Sequence, residues 1–226
     1  MISVEVLPDP GAVGRHAADL VAEAVRGAIA DGRRFTWAIS GGETPMAMFR
    51  GLGELELPWH VIDTWQVDER IAPAGDPSRN RTQQERALPA EAMGATRWMP
   101  VEDEDLEAAA AGYATTLPER FDVVHLGLGA DGHTASLVLG DPVLEVDDRA
   151  VAVTGPYEGR RRMTLTYPAL SRAARVIWVI TGARKGEALR RLIDGDRSIP
   201  AARIPVVDQV VVTDLTPDVG GREEGP

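Results

Sequence analysis

Residues 121–142 read FDVVHLGLGADGHTASLVLGDP and join an almost unbroken apolar run to a glycine-rich loop. An apolar run of this kind is typical of a strand that is covered on both faces, because neither face then carries polar side chains. We therefore expect a buried strand over 121–129. Three glycines leave the main chain exposed in the following loop, and His133 comes directly after the last of them. The stretch predicts a parallel strand that ends beside a small ligand.

Similar apolar runs recur along the chain and alternate with segments whose apolar residues have helical spacing. This alternation is typical of βαβ units, of a mostly parallel central sheet and of the α/β fold class. Helices are predicted at 14–32, 104–117 and 184–195, so helices should cover both faces of the sheet. Strands are expected at 3–7, 35–40, 61–69, 121–129, 175–182 and 209–214, with weaker ones near 95–100 and 149–154.

Length and composition limit what the chain can be. It has 226 residues and no cysteine, so disulfides, thiolate zinc sites and cysteine nucleophiles are excluded. Residues 1–214 are expected to form a single domain, and the polar tail 215–226, rich in Gly and Pro, is expected to be disordered. We expect a cytoplasmic protein, because the lack of cysteine suits a reducing compartment and no apolar run is long enough to span a membrane.

The charge balance argues against two classes of partner. The formal net charge is −11 and the pI is about 4.9. Nucleic acid and anionic membrane surfaces are bound chiefly through accumulated positive charge, so neither is expected as a partner. An anionic ligand must instead be held by local cations.

The segment ISGGETP (39–45) follows one predicted strand and opens a helix. Two glycines, Gly41 and Gly42, let the main chain turn its N–H groups inward, and Ser40 and Thr44 add hydroxyl groups. The start of the helix adds partial positive charge. These four residues are interpreted as a phosphate cradle, and an ordinary turn with a helix N-cap is the alternative.

Charged residues end another predicted strand in VDERIAP (67–73). Ligands of open parallel sheets bind beyond the carboxyl ends of the strands, where Asp68 and Arg70 are expected to lie. Charges at the end of a buried strand are costly unless they are paired or used. A solvated Asp–Arg pair at a strand terminus is the alternative to a binding role.

The loop GLGADG (127–132) formally matches the dinucleotide-binding pattern G-x-G-x-x-G. The segment after it is too short for the long helix that carries a pyrophosphate. We therefore interpret Gly129 and Gly132 as clearing space for a small ligand, with Asp131 and His133 at its rim. Histidine suits proton transfer near neutral pH, and Asp131 could orient it or bind a hydroxyl group. A histidine that caps a turn is the alternative.

Two basic residues complete the candidate set. The chain has 23 arginines but one lysine, Lys185, which follows a predicted strand. A compact ammonium group is not equivalent to a planar guanidinium, so Lys185 is a candidate phosphate ligand, although chance could explain it. Arg162 ends the basic cluster EGRRR (158–162).

Taken together, SGGETP, VDERIAP, LGLGADGHTASL, RMTLTYPAL and TGARKGEALRRL resemble the 6-phosphogluconolactonase family, in matching order across nearly the whole chain. The resemblance implies a Rossmann-like α/β fold, shared with glucosamine-6-phosphate deaminases and ribose-5-phosphate isomerases. It implies hydrolysis of 6-phospho-D-glucono-1,5-lactone to 6-phosphogluconate in the oxidative pentose phosphate pathway, with no cofactor and no metal. A monomer or a small homo-oligomer is expected.

By motif position, the resemblance makes His133 the general base, with Asp131 beside it. The residues it implies for substrate and phosphate binding are Ser40, Gly41, Gly42, Thr44, Asp68, Arg70, Gly129, Gly132, Arg162 and Lys185. The chain departs from the family pattern in two places. Val138-Leu139 stands where the family often has Phe-Pro, and Arg79-Asn80 stands where it usually has Ser-Asn.

The sequence has neither a G-x-S-x-G elbow nor an H-E-x-x-H zinc motif, so direct attack by water on the lactone is expected. Three alternatives stay open. A sugar-phosphate isomerase or deaminase of the same fold is the nearest, although the deaminases continue after DGH into a segment like AFNEP that is lacking here. A sugar-phosphate sensor without catalytic activity and a nicotinamide-dependent dehydrogenase are the other two.

Overall fold

The computed structural model describes residues 2–217. Its strands are β1 (Ile2–Val6), β2 (Phe35–Ile39), β3 (Ile62–Gln66), β4 (Asp68–Arg70), β5 (Thr96–Arg97), β6 (Phe121–Leu126), β7 (Val151–Val153), β8 (Arg162–Leu165), β9 (Ala173–Ile180) and β10 (Gln209–Thr213). Its α-helices are α1 (Pro10–Ala30), α2 (Met46–Gly53), α3 (Asn80–Ala87), α4 (Ala90–Met93), α5 (Leu106–Thr115), α6 (Tyr167–Leu170) and α7 (Gly186–Ile193). Short 3-10 turns lie at 59–61, 142–145, 183–185 and 201–203.

Seven strands form the central sheet, in the order β1-β10-β9-β6-β2-β3-β5, and every neighbouring pair is parallel. The predicted α/β fold with a mostly parallel sheet is therefore confirmed. The chain runs outward from β2 through β3 to β5, and then returns to the other side of β2 with β6. The carboxyl ends of β2 and β6 thus flank the point where the strand order reverses, which is where parallel sheets form their ligand crevices.

Apolar residues pack on both faces of this sheet. Along β2, Trp37 and Ile39 belong to the cluster beneath α1 and α2, whereas Ala38 belongs to the cluster on the opposite face with α5 and α7. Successive side chains of a strand point to opposite faces, so a strand covered on both faces is apolar at most positions. This explains the unbroken apolar runs in the sequence.

The first helix shows how local sequence sets its ends. Asp9 caps α1 by accepting a hydrogen bond from the main-chain N–H of Ala12 at 2.8 Å, and Pro10 occupies the first turn. The helix buries Val13, Val21 and other small apolar residues at helical spacing. It was expected over 14–32 and in fact begins four residues earlier.

The predicted strand 61–69 was wrong as a single strand. Val67 is the crossing point: its N–H donates to Ile39 O at 2.9 Å in the main sheet, while its carbonyl accepts from Leu165 N at 2.8 Å. The chain then leaves the central sheet, and β4 pairs antiparallel with β8, which pairs antiparallel with β7. This three-stranded sheet was not expected, although the weaker strand near 149–154 is present as β7.

Other boundaries differ by a few residues. The strand expected over 121–129 ends at Leu126, the strand near 95–100 contains only Thr96 and Arg97, and α3 and α4 were not expected. Of the tail 215–226 that was expected to be disordered, residues 218–226 lie outside the described residues, and Leu215 packs against the core. Among the helices within residues 2–217, none has the length and apolar character needed to cross a membrane.

Candidate active site

A pocket of about 240 Å³ lies at the carboxyl ends of the central strands. The loops after β2 and β6 form two of its walls, the small antiparallel sheet forms another, and the turn after β9 brings in a cation. It is lined by ten of the residues singled out in the sequence: Ser40, Gly41, Gly42, Thr44, Asp68, Arg70, Gly129, His133, Arg162 and Lys185. The fold thus brings residues from five separate motifs into one cavity.

Asp131 and Gly132 lie outside this lining. The interpretation that the glycines clear space for a ligand needs correction for Gly129 and Gly132, because other parts of the protein fill the space beside them, whereas Gly127 lines the pocket and has no atom within 4 Å of a Cβ position. A Cβ at Gly129 would lie 2.2 Å from Nδ1 of His133, and a Cβ at Gly132 would lie 2.5 Å from a methyl group of Ile199. Gly129 therefore allows the imidazole to pack against the main chain, and Gly132 allows the loop to pack against the core.

The loop after β2 presents free main-chain donors to the pocket. Within residues 2–217, the N–H groups of Gly41, Gly42 and Thr44 have no hydrogen-bond partner. Nor does α2 have a side-chain N-cap in the described structure, so the capped turn considered from the sequence is not what forms here. Several unpaired N–H groups at the start of a helix favour an anionic group such as a phosphate.

Ser40 contributes to this loop in a different way from that expected. Its N–H donates to Nδ1 of His125 at 3.2 Å, and its hydroxyl donates to the His125 carbonyl at 3.1 Å. Burial lowers the pKa of His125 to about 3, so the ring is neutral and can accept that bond. Ser40 therefore fixes the base of the loop, while the next residues keep their donors free.

Lys185 brings a positive charge to the same loop. Its Nζ lies 3.4 Å from the Thr44 hydroxyl oxygen. Burial lowers the pKa of Lys185, the carboxylate of Asp214 opposes that shift, and the nearby Arg184 adds to it. A partly desolvated ammonium group beside unpaired N–H groups is well suited to bind phosphate.

His133 and Asp131 form a hydrogen-bonded pair at the opposite loop. Nδ1 of His133 lies 2.6 Å from Oδ1 of Asp131, which also accepts the His133 main-chain N–H at 3.2 Å. A donor at Nδ1 leaves the lone pair of Nε2 free to accept a proton. Burial raises the pKa of Asp131, but the charge and hydrogen bonds of His133 outweigh it, and the net pKa is lowered.

The loop that carries this pair is held at both ends. The Gly129 N–H donates to the His133 carbonyl at 2.8 Å, and the Thr134 hydroxyl donates to the Gly127 carbonyl at 2.8 Å. The imidazole is 23% exposed, so it is open to the pocket and still packed on its other sides. The loop therefore presents the His133 imidazole to the cavity in a fixed position.

Asp68 is fully engaged by other side chains. Its Oδ2 accepts from the Ser136 hydroxyl at 2.7 Å, and its Oδ1 accepts from Nδ2 of Asn80 at 3.0 Å. Asn80 also accepts a hydrogen bond from Arg70, whose guanidinium donates to the Ser78 carbonyl at 3.0 Å. The solvated Asp–Arg pair considered from the sequence is thus replaced by a buried network centred on Asn80.

Buried Glu69 anchors this network to the fold. Its carboxylate accepts the main-chain N–H groups of Arg70, Asn80 and Arg81 at 2.7–2.8 Å. The bonds from Asn80 and Arg81 satisfy donors at the start of α3, where a negative charge is favourable. Arg79 is buried as well, at 3.5 Å from Glu69 and in contact with Glu102. Arg79, which stands where the family usually has Ser, therefore forms an internal ion pair.

Comparison with known proteins shows which family the chain is similar to over most of its length. Residues 8–213 match the family described as glucosamine-6-phosphate isomerases/6-phosphogluconolactonase. The chain belongs to this family. A curated relative from Nostoc sp., named 6-phosphogluconolactonase, is 36% identical over 206 residues, which cover 84% of each chain.

Solved structures of the family share the fold at lower identity. The 6-phosphogluconolactonase of Leishmania guyanensis has a TM-score of 0.84 at 20% identity, covering 97% of this chain and 98% of that one. A monomeric glucosamine-6-phosphate deaminase has a TM-score of 0.82 at 19% identity, covering 93% and 96%. The fold of the family therefore does not distinguish lactone hydrolysis from deamination, and the distinction must come from the site.

Sequence reasoning missed several residues of the pocket. Asn80 was noted only as a departure from the family pattern, and Glu43, Thr134 and Ala135 were not considered, yet all four line the cavity. Asn80 begins α3, but that helix is strongly polar and has too little apolar periodicity for the sequence to predict it. Thr134 directly follows His133, so its contribution follows from that of its neighbour.

Proposed function

We propose that the chain hydrolyses 6-phospho-D-glucono-1,5-lactone to 6-phosphogluconate, a step of the oxidative pentose phosphate pathway. The observation that carries the proposal is a single pocket lined both by His133, whose ring is paired with Asp131 behind it, and by a phosphate-type cradle with a lysine. A lactone with a terminal phosphate needs both. The family and the name of the Nostoc relative support the same activity.

His133 is the general base in this proposal. Its Nε2 takes a proton from a water molecule, whose oxygen bonds to C1 of the lactone. The C1–O5 bond then breaks as His133 returns the proton to the ring oxygen, and the new carboxylic acid ionises. General base catalysis contributes roughly 10²–10⁴-fold, which suits an activated cyclic ester. Asp131 holds the ring through Nδ1 and stabilises the imidazolium that forms in the transition state.

The phosphate is bound far from the reacting carbon. The free N–H groups of Gly41, Gly42 and Thr44, together with Lys185, would hold it. Binding energy from this remote group orients the lactone carbonyl towards His133 and lowers the entropic cost of the reaction. Arg70 and Arg162 supply further positive charge to the same pocket.

The test is acid release from freshly prepared 6-phosphogluconolactone, followed at constant pH against its spontaneous opening. The expected result is a rate well above background, with a much higher KM for the lactone that lacks the phosphate. Ammonia release from glucosamine 6-phosphate would instead indicate a deaminase. Binding of the sugar phosphate without turnover would indicate a sensor, and cofactor-dependent hydride transfer a dehydrogenase.

We also propose that the protein acts in the cytoplasm, as a monomer or a small homo-oligomer. The lack of cysteine is consistent with a reducing compartment. Sedimentation of the purified chain at several concentrations tests the oligomeric state.

A further inference from the structure

A tight turn between β7 and β8 lies beside the histidine–aspartate pair. Tyr157 and Arg160 exchange two main-chain hydrogen bonds, at 2.9 and 3.2 Å. The two residues at the tip, Glu158 and Gly159, both have positive φ, which is the conformation of a two-residue hairpin turn. The Arg160 guanidinium donates to Asp76 at 3.0 Å and ties the turn to the segment after β4. The position of Tyr157 is therefore fixed from both sides.

The Tyr157 ring contacts both members of the pair. Its centroid lies 5.3 Å from that of the His133 imidazole, with the two planes at 64°. Its hydroxyl oxygen lies 3.4 Å from Oδ2 of Asp131, the carboxylate oxygen that does not contact His133. Tilted aromatic contacts at this separation are favourable beyond the area that they bury.

The same ring contacts a cation of the pocket. The Arg162 guanidinium lies 4.7 Å from the Tyr157 centroid, and Arg162 is only 4% exposed. Arg162 also donates to Glu158 at 3.0 Å, so one turn supplies both an aromatic and an ionic contact to this guanidinium. Tyr157 therefore contacts both Arg162, on the cationic wall of the pocket, and His133, the proposed general base.

We propose that Tyr157 is a positioning residue for the reaction, which holds the His133 ring and the Asp131 carboxylate in place and links them to Arg162. The inference rests on the proposed role of His133. A single hydrogen bond leaves an imidazole able to tilt about that bond. Contact with the Tyr157 ring restricts this tilt. Small displacements of a catalytic group are costly, because the attacking water must be aligned with the carbonyl.

The charged groups around Tyr157 keep it in the form that this role needs. Burial raises the pKa of Tyr157, and the carboxylates of Asp131 and Glu158 raise it further, against a smaller opposing effect of Arg162. The phenol is therefore protonated near neutral pH and can donate to Asp131. That contact draws negative charge away from the side of the carboxylate that faces His133.

Three variants separate this role from simple packing. Tyr157→Leu removes the ring and is expected to lower kcat about tenfold and to raise KM several-fold, because Arg162 loses its aromatic contact. Tyr157→Phe keeps the ring and is expected to retain kcat within about threefold. Trp98→Leu is the matched control, because Trp98 also stacks with an arginine, Arg81 at 5.2 Å, but lies outside the pocket lining. It should change the melting temperature and leave kcat unchanged.

The pH profile gives a second readout, which packing alone would not move. In Tyr157→Phe the Asp131 carboxylate loses a competing donor and stabilises the imidazolium more strongly. The acid limb of kcat/KM should therefore move to higher pH. This readout decides the matter if Tyr157→Leu does not fold.

The outcomes also distinguish this inference from the proposed function. If His133→Ala abolishes turnover while Tyr157→Leu keeps kcat and KM within twofold of wild type, Tyr157 has no positioning role and the lactonase mechanism stands. An unmoved acid limb in Tyr157→Phe likewise overturns the inference. If His133→Ala retains full activity, the proposed base itself is wrong.

Discussion

Replacement of Asp131 by asparagine tests the histidine–aspartate pair without changing the size of the side chain. Oδ1 of Asp131 accepts from Nδ1 of His133 at 2.6 Å, just below the range of about 2.7–2.9 Å that is typical of a charge-assisted N–H···O hydrogen bond. An asparagine can present an N–H to the same ring nitrogen, which would put the imidazole proton on Nε2, where it blocks the base. The variant should therefore lose activity through the wrong tautomer as well as through the lost charge.

The size of the effect follows from the geometry. A hydrogen bond to a charged group is worth about 1.5–3 kcal/mol, and 1.36 kcal/mol corresponds to a factor of ten. The Asp131 side chain is 42% exposed, so solvent screening places the expected loss near the lower end of that range. We expect kcat to fall about tenfold or more, with KM within about twofold because the phosphate cradle is unchanged.

The assay is acid release from fresh lactone at several pH values, corrected for spontaneous opening at each. The acid limb of kcat/KM should also move to lower pH, because an imidazolium without its carboxylate is less stable. A variant with wild-type kcat and an unchanged profile would refute the assignment of Asp131 as the partner of the base.

Three further predictions test other parts of the account. Lys185→Ala is expected to raise KM at least tenfold with a smaller effect on kcat, because the phosphate loses one charged contact. A KM equal to that of the wild-type chain would show that Lys185 does not bind the phosphate. Gly129→Ala places a methyl group 2.2 Å from the His133 ring and should lower kcat strongly. The control Gly112→Ala on α5 meets no atom within 4 Å and should leave kcat unchanged. The pKa of Asp63 is lowered, first by its hydrogen bond with Arg34, and the pKa of Asp131 is lowered as well. Both carboxylates therefore stabilise the fold above about pH 4. The melting temperature should therefore fall as the pH drops below 4 through their folded-state pKa values, and Asp63→Asn should flatten that decline.

The sequence was sufficient for the central sheet and for most of the pocket lining, for one physical reason. Strands covered on both faces are mostly apolar, so their approximate positions are easy to find, and parallel strands bring their carboxyl ends to the same edge. Residues as distant in the chain as Thr44 and Lys185 could therefore be assigned to one site. Their contact through the Thr44 hydroxyl is a consequence of that topology.

The contacts around the pocket could not be predicted, because they depend on long-range pairing. Nothing in the sequence indicates that Val67 divides one predicted strand between two sheets. That division creates the antiparallel sheet on which β8 carries Arg162 and from which the turn with Tyr157 projects. Asn80 was missed for a related reason: α3 is held by the buried Glu69 carboxylate, a tertiary contact, and has little apolar periodicity of its own.

The most direct test of the account is the hydrolysis of fresh 6-phosphogluconolactone by the wild-type chain and by His133→Ala, with kcat and KM measured separately. A general base at His133 requires kcat to be about 10²–10⁴-fold lower in the variant, with a KM close to wild type because the phosphate cradle is intact. A folded His133→Ala protein that hydrolyses the lactone at the wild-type rate would contradict it.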